Sequence, residues 1–353
     1  MMHLLTYLEY PTSVFDPHTI LSDGLFVNSE KESNVRSKKI RGILGLFFFV
    51  LVAPWGLAED VPPPPKPGVY HYIELHPGGL RSFLRWYPTR IPLVSHHRGG
   101  PAPGFAENSL EAMQNALQYG PGLMEIDVAQ LGDGTLILMH DDTIDRTTTG
   151  AGALSGLKWE DVAGLYLLDE NGRKTGQKVP KLWDALRWAQ GRSILTLDIK
   201  KGTDFRAVTK MVQDSQAQDY VIAISYTLEQ AMLFHQIAPW MPLSVTIRNA
   251  EELENVLSSS LDKSKLLVWT GTRLLPKQLY EAIHSKGWKV VVGTLGNPTY
   301  SLDGQFSRSG EDKKYLDIYT LGADVIATDR FWAVQGQIRN PNIFVFSQSK
   351  TYR

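Results

Sequence analysis

The chain has 353 residues, with 36 Lys and Arg against 37 Asp and Glu, and 43% of it is hydrophobic. This is the composition of a folded globular protein, and the near-neutral, interspersed charge argues against nucleic acid as a partner and favours a small molecule. Because the chain contains no Cys, disulfide scaffolds, thiolate zinc sites, iron–sulfur clusters and cysteine nucleophiles are excluded.

The first 58 residues have the pattern of an export segment. A polar stretch ends in a basic cluster at 36–41, which leads into the apolar run 43–52 and closes with Gly56 and Ala58, the small residues that a signal peptidase reads. Two interpretations stay open: a signal peptide cleaved after Ala58, or an uncleaved membrane anchor at 42–58. Both predict an exported protein, periplasmic or extracellular, and only the second gives it a membrane contact, through the anchor.

Residues 59–90 are predicted to be a proline-rich linker and a lead-in to the folded body. The segment VPPPPKPG at 61–68 is typical of a stiff polyproline spacer. The folded domain is then predicted to cover 91–335, and a C-terminal tail to cover 336–353.

From residue 91 onward, short β-branched apolar runs alternate with stretches of helical periodicity, which is typical of successive βα units. There are eight such runs, and a ninth at 135–140 predicts an additional strand beside the second. This pattern predicts an α/β protein with a closed (β/α)8 TIM barrel rather than an open doubly wound sheet. The predicted strands cover 91–95, 123–129, 194–199, 220–225, 242–247, 265–269, 288–293 and 323–328, and the predicted helices 109–119, 182–189, 205–214, 228–235, 250–258 and 276–286.

Carboxylates occur on the second and third predicted strands, where chemistry sits in such a barrel. Side chains alternate along a strand, so Glu125 and Asp127 should point inward together, and Asp198 and Lys200 should do so on the third strand. Clustered buried carboxylates need a compensating charge, and a hard divalent cation such as Mg²⁺ or Ca²⁺ supplies it. The alternative from the residues alone is a set of structural ion pairs with Arg or Lys, including Asp198 with Lys200.

Two histidines end predicted strands, His97 in SHHRGG and His140 in TLILMHDD. An imidazole titrates near neutral pH, so one of them can accept a proton while the other protonates a leaving oxygen. The neighbouring Arg98 has the fork geometry that binds phosphate. His96 alternates to the opposite face, and we interpret it as a packed or surface residue.

These residues belong to a series of short motifs that resembles the glycerophosphodiester phosphodiesterase family over residues 93–332. The motifs are HRG at 97–99, ENS at 107–109, EID at 125–127, HD at 140–141, LDIK at 197–200 and GADVIATDR at 322–330. The resemblance implies a TIM barrel with a small insertion after the second strand region, here at 141–180. It also implies hydrolysis of glycerophosphodiesters, the deacylated phospholipids, to sn-glycerol 3-phosphate and an alcohol.

The resemblance further implies roles for individual residues. One Ca²⁺ or Mg²⁺ would be held by Glu125, Asp127 and Asp198, with Glu107 completing or supporting the shell. His97 and His140 would form the acid–base pair, while Arg98 and Lys200 would neutralise the phosphodiester. Position 198 carries Asp where the family usually carries Glu, which shortens this ligand by one methylene.

Two other functions remain alternatives at this point. A phospholipase acting on lysophospholipid or phosphoinositide would use the same barrel and the same acidic and histidine residues, but would need an exposed apolar rim. An exported binding protein could keep the barrel without turnover. The pair of histidines favours an enzyme over a binding protein.

Overall fold

The computed structural model describes residues 60–73, 75, 79–89 and 91–338. The predicted signal peptide or anchor at 1–58 and the tail residues 339–353 lie outside the described residues. None of the helices in the described part has the length and apolar character needed to cross a bilayer.

Eight parallel strands close into a barrel, and each overlaps one of the eight predicted apolar runs. The strands are β1 (Leu93–His96), β2 (Gly122–Gln130), β3 (Leu136–Leu138), β4 (Tyr166–Leu168), β5 (Lys174–Lys178), β6 (Leu195–Ile199), β7 (Val221–Ile224), β8 (Leu243–Thr246), β9 (Leu266–Trp269), β10 (Lys289–Gly293) and β11 (Val325–Thr328). Around the barrel the order is β1, β2, β6, β7, β8, β9, β10 and β11, and β1 pairs with both β2 and β11. The prediction of a TIM barrel is confirmed.

Alternation along β2 separates the site from the core. Met124, Ile126 and Val128 are fully buried in the main apolar core between strands and helices, whereas Glu125 lines the central cavity. The parallel pairing of β2 with β6 sets Asp127 directly opposite Asp198. The carboxylates predicted to point into the barrel therefore do so, because the register between the two strands fixes the direction of each side chain.

The helices cover the outside of the barrel. The helices are α1 (Gly79–Leu84), α2 (Leu110–Ala116), α3 (Trp159–Val162), α4 (Leu182–Ala189), α5 (Phe205–Asp214), α6 (Leu228–Ile237), α7 (Ala250–Ser258), α8 (Lys277–His284), α9 (Leu302–Ser309), α10 (Lys314–Leu321) and α11 (Phe331–Ile338). The six predicted helices correspond to α2 and α4–α8, and several begin where a Ser, Thr, Asp or Asn side chain accepts a backbone N–H of the first turn. Helix α11 runs past the predicted domain end at 335.

The segment after β2 forms a small subdomain beside the barrel. Strand β3 pairs antiparallel with β2, as the ninth apolar run predicts. Residues 141–180 then contain α3 and the β4–β5 hairpin, and their apolar side chains form a separate buried cluster with Ile137 and Met139. The predicted insertion is thus a packed unit that stands next to His140.

The predicted linker and lead-in pack against the barrel. Leu80 and Leu84 of α1 are buried in an apolar cluster with strand residues such as Ile222 and Val325, which closes the amino-terminal end of the barrel. In the proline-rich segment, the carbonyl of Pro63 accepts a hydrogen bond from the Tyr119 hydroxyl at 2.8 Å. The folded body therefore includes residues that the sequence assigns to a spacer.

A buried arginine explains why this segment docks. Arg330, which is 9% exposed, donates from Nη2 to Asp60 at 2.7 Å and from Nη1 to Asp312 at 2.7 Å. A buried guanidinium without carboxylate partners would cost several kcal/mol. Asp60 therefore holds the start of the described chain against α11.

Candidate active site

Three carboxylates from two adjacent strands converge at the carboxyl end of the barrel. Each of Glu125, Asp127 and Asp198 offers an oxygen within 4.8 Å of the others. Burial, followed by the charge of Asp127, raises the pKa of the Glu125 carboxyl. A group made only of carboxylate oxygens, in which one member is forced towards its protonated form, fits a hard divalent cation.

A lysine and an asparagine hold this group in place. Lys200 donates from Nζ to Asp127 at 3.0 Å and to Asp198 at 3.0 Å. Asn108 donates from Nδ2 to Asp127 Oδ2 at 2.7 Å, and its Oδ1 accepts the Asp127 backbone N–H at 2.9 Å. Burial alone would raise the pKa of Asp127, but the charge of Lys200 and the bond from Asn108 lower it. The structure thus contains both the carboxylate group and the Asp198–Lys200 ion pair.

His97 follows β1 directly and is oriented by a carboxylate that follows the last strand. Its Nδ1 lies 2.6 Å from Asp329 Oδ1, while Asp329 Oδ2 accepts the backbone N–H of Gly296. Burial would lower the pKa of His97, but the hydrogen bond to Asp329 and the charge of Glu125 raise it to about 9. This contact leaves Nε2 as the ring nitrogen available to the cavity that His97 lines.

His140 has the equivalent arrangement at the end of β3. Its Nδ1 lies 2.7 Å from Oδ1 of Asp141. By contrast, His96 is fully buried and meets Phe331 edge-on, and burial lowers its pKa to about 3. His96 is therefore a packed residue, as alternation along β1 predicts.

Arg98 and Glu107 pair with each other. Arg98 has a φ of 51°, rare for a residue with a side chain, and its backbone N–H donates to Glu125 at 2.7 Å. Its Nη1 donates to Glu107 at 3.0 Å, and Arg146 donates to both Glu107 oxygens at 2.8 and 2.9 Å. The structure does not bring Glu107 into the carboxylate group, because two guanidinium groups engage its oxygens.

A cavity of about 210 Å³ opens beside these groups. Its acidic and basic lining comes from His97, Glu125 and Asp198, and the aromatic side chains of Tyr226 and Trp269 stand at the ends of strands. The remaining lining is mostly apolar, with the hydroxyl residues Ser95, Thr196 and Ser244 among Leu123, Ile224, Leu267, Val291, Leu295 and Ala327. The arrangement can bind one anionic group close to the carboxylates and two oriented imidazoles.

Sequence reasoning assigned no role to three residues of this site. Asp329 follows the last strand in the TDR motif and orients His97; its position just beyond a strand end was the available signal. Asn108 stands beside Glu107 in the ENS motif. Arg146 lies inside the insertion, where no strand periodicity indicates its partners.

A closed barrel with grouped carboxylates and two carboxylate-oriented histidines at its carboxyl end defines a TIM-barrel enzyme equipped for acid–base chemistry. A model of the Glycerophosphoryl diester phosphodiesterase family matches residues 97–332. The chain belongs to this family, and it is an enzyme of the phosphodiesterase class that the family name describes. The resemblance carried by its motifs is thereby confirmed.

Individual relatives agree with this assignment. A glycerophosphodiester phosphodiesterase of Bacillus altitudinis is 28% identical over 244 residues, which are 66% of this chain and 92% of that protein. Several other curated relatives are matched over less than two thirds of their length, including 65% for one from Caldanaerobacter subterraneus.

Solved structures share the fold. A glycerophosphoryl diester phosphodiesterase from Parabacteroides distasonis superposes with a TM-score of 0.68 at 30% identity, covering 76% of this chain and 93% of that one. An Oleispira antarctica phosphodiesterase, solved with its product sn-glycerol-3-phosphate, has a TM-score of 0.55 at 20% identity, covering 74% of this chain and 99% of that one.

Proposed function

We propose that the chain hydrolyses glycerophosphodiesters to sn-glycerol 3-phosphate and an alcohol at this site, with one divalent cation and two catalytic histidines. The observation that carries the proposal is the convergence of Glu125, Asp127 and Asp198 within 4.8 Å in a barrel whose cavity His97 also lines. The product bound to the Oleispira phosphodiesterase supports the same substrate class.

The carboxylates Glu125, Asp127 and Asp198 would hold Ca²⁺ or Mg²⁺, which supplies charge neutralisation at a phosphate oxygen. The remaining steps fall to the chain's own residues. His97, oriented by Asp329, and His140, oriented by Asp141, exchange protons with the attacking and leaving oxygens through their Nε2 atoms. Across the reaction the phosphorus–oxygen bond to the alcohol breaks, a bond to a water-derived oxygen forms, and the alcohol leaves with a proton.

Two cations of the chain stand ready to offset the phosphate charge. Lys200 is 3.0 Å from two of the three carboxylates, and the Arg98 Nε atom is 3.8 Å from Asp127 Oδ2. Arg98 Nε is also buried without a hydrogen-bond acceptor, so its positive charge beside Asp127 is not fully matched by the protein.

The size of the cavity favours a small diester over a lipid. Cavities that enclose drug-sized ligands measure roughly 300–1,000 Å³. The 210 Å³ here is smaller. A glycerophosphoryl group is compact, whereas a lysophospholipid adds a full acyl chain. We therefore place glycerophosphocholine and glycerophosphoethanolamine ahead of lysophospholipid as substrates.

We further propose that the protein acts outside the cytoplasm, exported by the segment at 1–58 or anchored through residues 42–58. The apolar run and small residues of that segment support this localisation.

The test measures glycerol 3-phosphate released from glycerophosphocholine and glycerophosphoethanolamine by the full chain, with EDTA, Ca²⁺ or Mg²⁺. A parallel assay with lysophosphatidylcholine measures choline and phosphocholine, because its glycerol keeps the acyl chain. Cation-dependent release from the two small diesters is expected, and His97→Ala, His140→Ala and Asp198→Asn should each lose it. His235→Ala, which changes a histidine on helix α6, is the matched control and should keep full activity. Folded protein that releases nothing with any cation would refute the proposal.

A further inference from the structure

One guanidinium in the insertion is bound on both sides by carboxylates. Arg146 donates from Nε to Asp141 Oδ2 at 2.7 Å and from Nη2 to Asp141 Oδ1 at 2.9 Å. It donates from Nη1 and Nη2 to the two oxygens of Glu107 at 2.9 and 2.8 Å. All three of its nitrogens are engaged in two bidentate pairs, the strongest geometry an arginine forms.

Each of these carboxylates also contacts a residue of the proposed reaction. Asp141 Oδ1 is 2.7 Å from Nδ1 of His140, and Glu107 Oε2 accepts from Nη1 of Arg98 at 3.0 Å. The result is an unbroken row of side chains in contact: His140, Asp141, Arg146, Glu107 and Arg98. Arg146 stands at its centre and is not one of the residues that line the central cavity.

We propose that Arg146 is a positioning residue that fixes His140 through Asp141 and Arg98 through Glu107. This inference rests on the proposed function of His140 and Arg98. A single side chain of the insertion thereby sets both the orientation of a proton-transfer group and the placement of a phosphate-binding group.

Because Arg146 is exposed, its ion pairs are expected to matter more for the geometry of the site than for the stability of the fold. Its side chain is 49% exposed, and ion pairs so open to solvent contribute little to stability. Yet Glu107 and Asp141, its partners, are 11% and 27% exposed, so removing Arg146 takes one partner from each of two carboxylates that contact the site. The larger consequence is therefore expected in geometry and turnover rather than in unfolding.

The geometry also distinguishes arginine from lysine. A planar guanidinium bonds two carboxylates at once, whereas a lysine ammonium is a point charge that cannot reproduce two bidentate contacts. Arg146→Lys should keep the charge of the site but release one of the two neighbours. It should therefore recover only part of the activity that Arg146→Ala loses.

The experiment compares Arg146→Ala, Arg146→Lys and wild type in the full chain, with Arg206→Ala on helix α5 as an exposed arginine control. For glycerophosphocholine hydrolysis we expect kcat to fall about 10- to 100-fold in Arg146→Ala, since small misplacements of catalytic groups have effects of this size. Added guanidinium at non-denaturing concentration should restore part of this kcat, and should not restore activity in His140→Ala. Arg206→Ala should match wild type.

A second measurement does not depend on turnover. In ¹⁵N-histidine NMR, the ring nitrogen signals of His140, assigned by their loss in His140→Ala, should show a hydrogen-bonded Nδ1–H in wild type and its loss in Arg146→Ala. If wild type is inactive while this signal changes, the proposed function fails and the positioning role stands. An unchanged His140 signal in Arg146→Ala, or a loss of kcat that guanidinium does not relieve at all, would overturn the positioning role.

Discussion

Replacing Asn108 by Asp changes one buried contact of the site while keeping its shape. Asn108 is 2% exposed with a φ of 58°, a conformation that both Asn and Asp tolerate. Its Oδ1 accepts from the Asp127 backbone, which a carboxylate would also do. Its Nδ2 donates to Asp127 Oδ2 at 2.7 Å, and the substitution replaces this donor by a second carboxylate oxygen.

The loss of stability depends on whether the two carboxyls are both charged or one of them is protonated. Two unit charges at this separation repel by about 6 kcal/mol at an effective dielectric constant of about 20, so the new carboxyl instead takes up a proton and donates it to Asp127. Holding a proton at pH 7 on a carboxyl whose unfolded pKa is about 3.9 costs about 4 kcal/mol. At pH 5 the same cost is about 1.5 kcal/mol.

The sign of the pH dependence is fixed by this raised pKa. A carboxyl whose folded pKa lies above its unfolded value leaves stability intact below about pH 4 and lowers it as the pH rises. The variant should therefore lose more stability relative to wild type at pH 7 than at pH 5. The reverse trend is expected for the usual salt-bridged carboxylate.

The assay is urea unfolding of wild type and Asn108→Asp with EDTA at the two pH values, followed by tryptophan fluorescence. Asn297→Asp is the matched control. The exposed Asn297 side chain accepts the Thr299 backbone N–H through Oδ1, as a carboxylate would, so its change should stay within about 0.5 kcal/mol. A deficit for Asn108→Asp below about 1 kcal/mol at pH 7, or one that does not depend on pH, would refute the reasoning.

Three further predictions concern separate parts of the molecule. Mg²⁺ or Ca²⁺ should raise the unfolding temperature, and Asp198→Asn should abolish this rise. The apparent affinity for the cation should fall up to about tenfold per pH unit on acidification, because the cation competes with a proton on Glu125. Calorimetry should then show that cation binding releases protons. Asp329→Asn should reduce kcat by about 10²- to 10⁴-fold with little change in unfolding temperature, because it replaces the carboxylate that orients His97. Steady-state kinetics and a melting curve check this, and an unchanged kcat would contradict it. Leu84→Ala should lower the free energy of unfolding in urea by about 2–5 kcal/mol, because it leaves a cavity in the apolar cluster at the amino-terminal end of the barrel. A decrease below about 1 kcal/mol would mean that α1 does not close this end.

The barrel could be predicted because its signals are local. Each wall strand is a short apolar run of β-branched residues, and alternation within β2 and β6 fixes which side chains face inward. The carboxylates Glu125, Asp127 and Asp198 follow from that period. Helices such as α5, whose start at Phe205 is capped by Asp204, carry equally local signals.

Elements that depend on tertiary packing could not be predicted in this way. Helix α9 contains Gly304, a weak helix former, so its sequence does not indicate a helix. Glycine is required there by packing, because a Cβ at this position would lie 1.8 Å from the carbonyl oxygen of Pro298. Helix α1 has only six residues, too few for a periodic pattern. Glu107 is bound by Arg146, which is 39 residues away inside the insertion, so its ion pairs leave no trace in the strand pattern.

The contact between His97 and Asp329 joins residues 232 positions apart along the chain. It forms only when β11 closes the barrel against β1, and closing so long a loop is slow compared with forming a helix or a hairpin. A chain cut short before residue 329 would lack the carboxylate that orients His97 even if most of the wall had formed. Enzymatic turnover would therefore report the last stage of folding, because partly folded chains would not hydrolyse substrate.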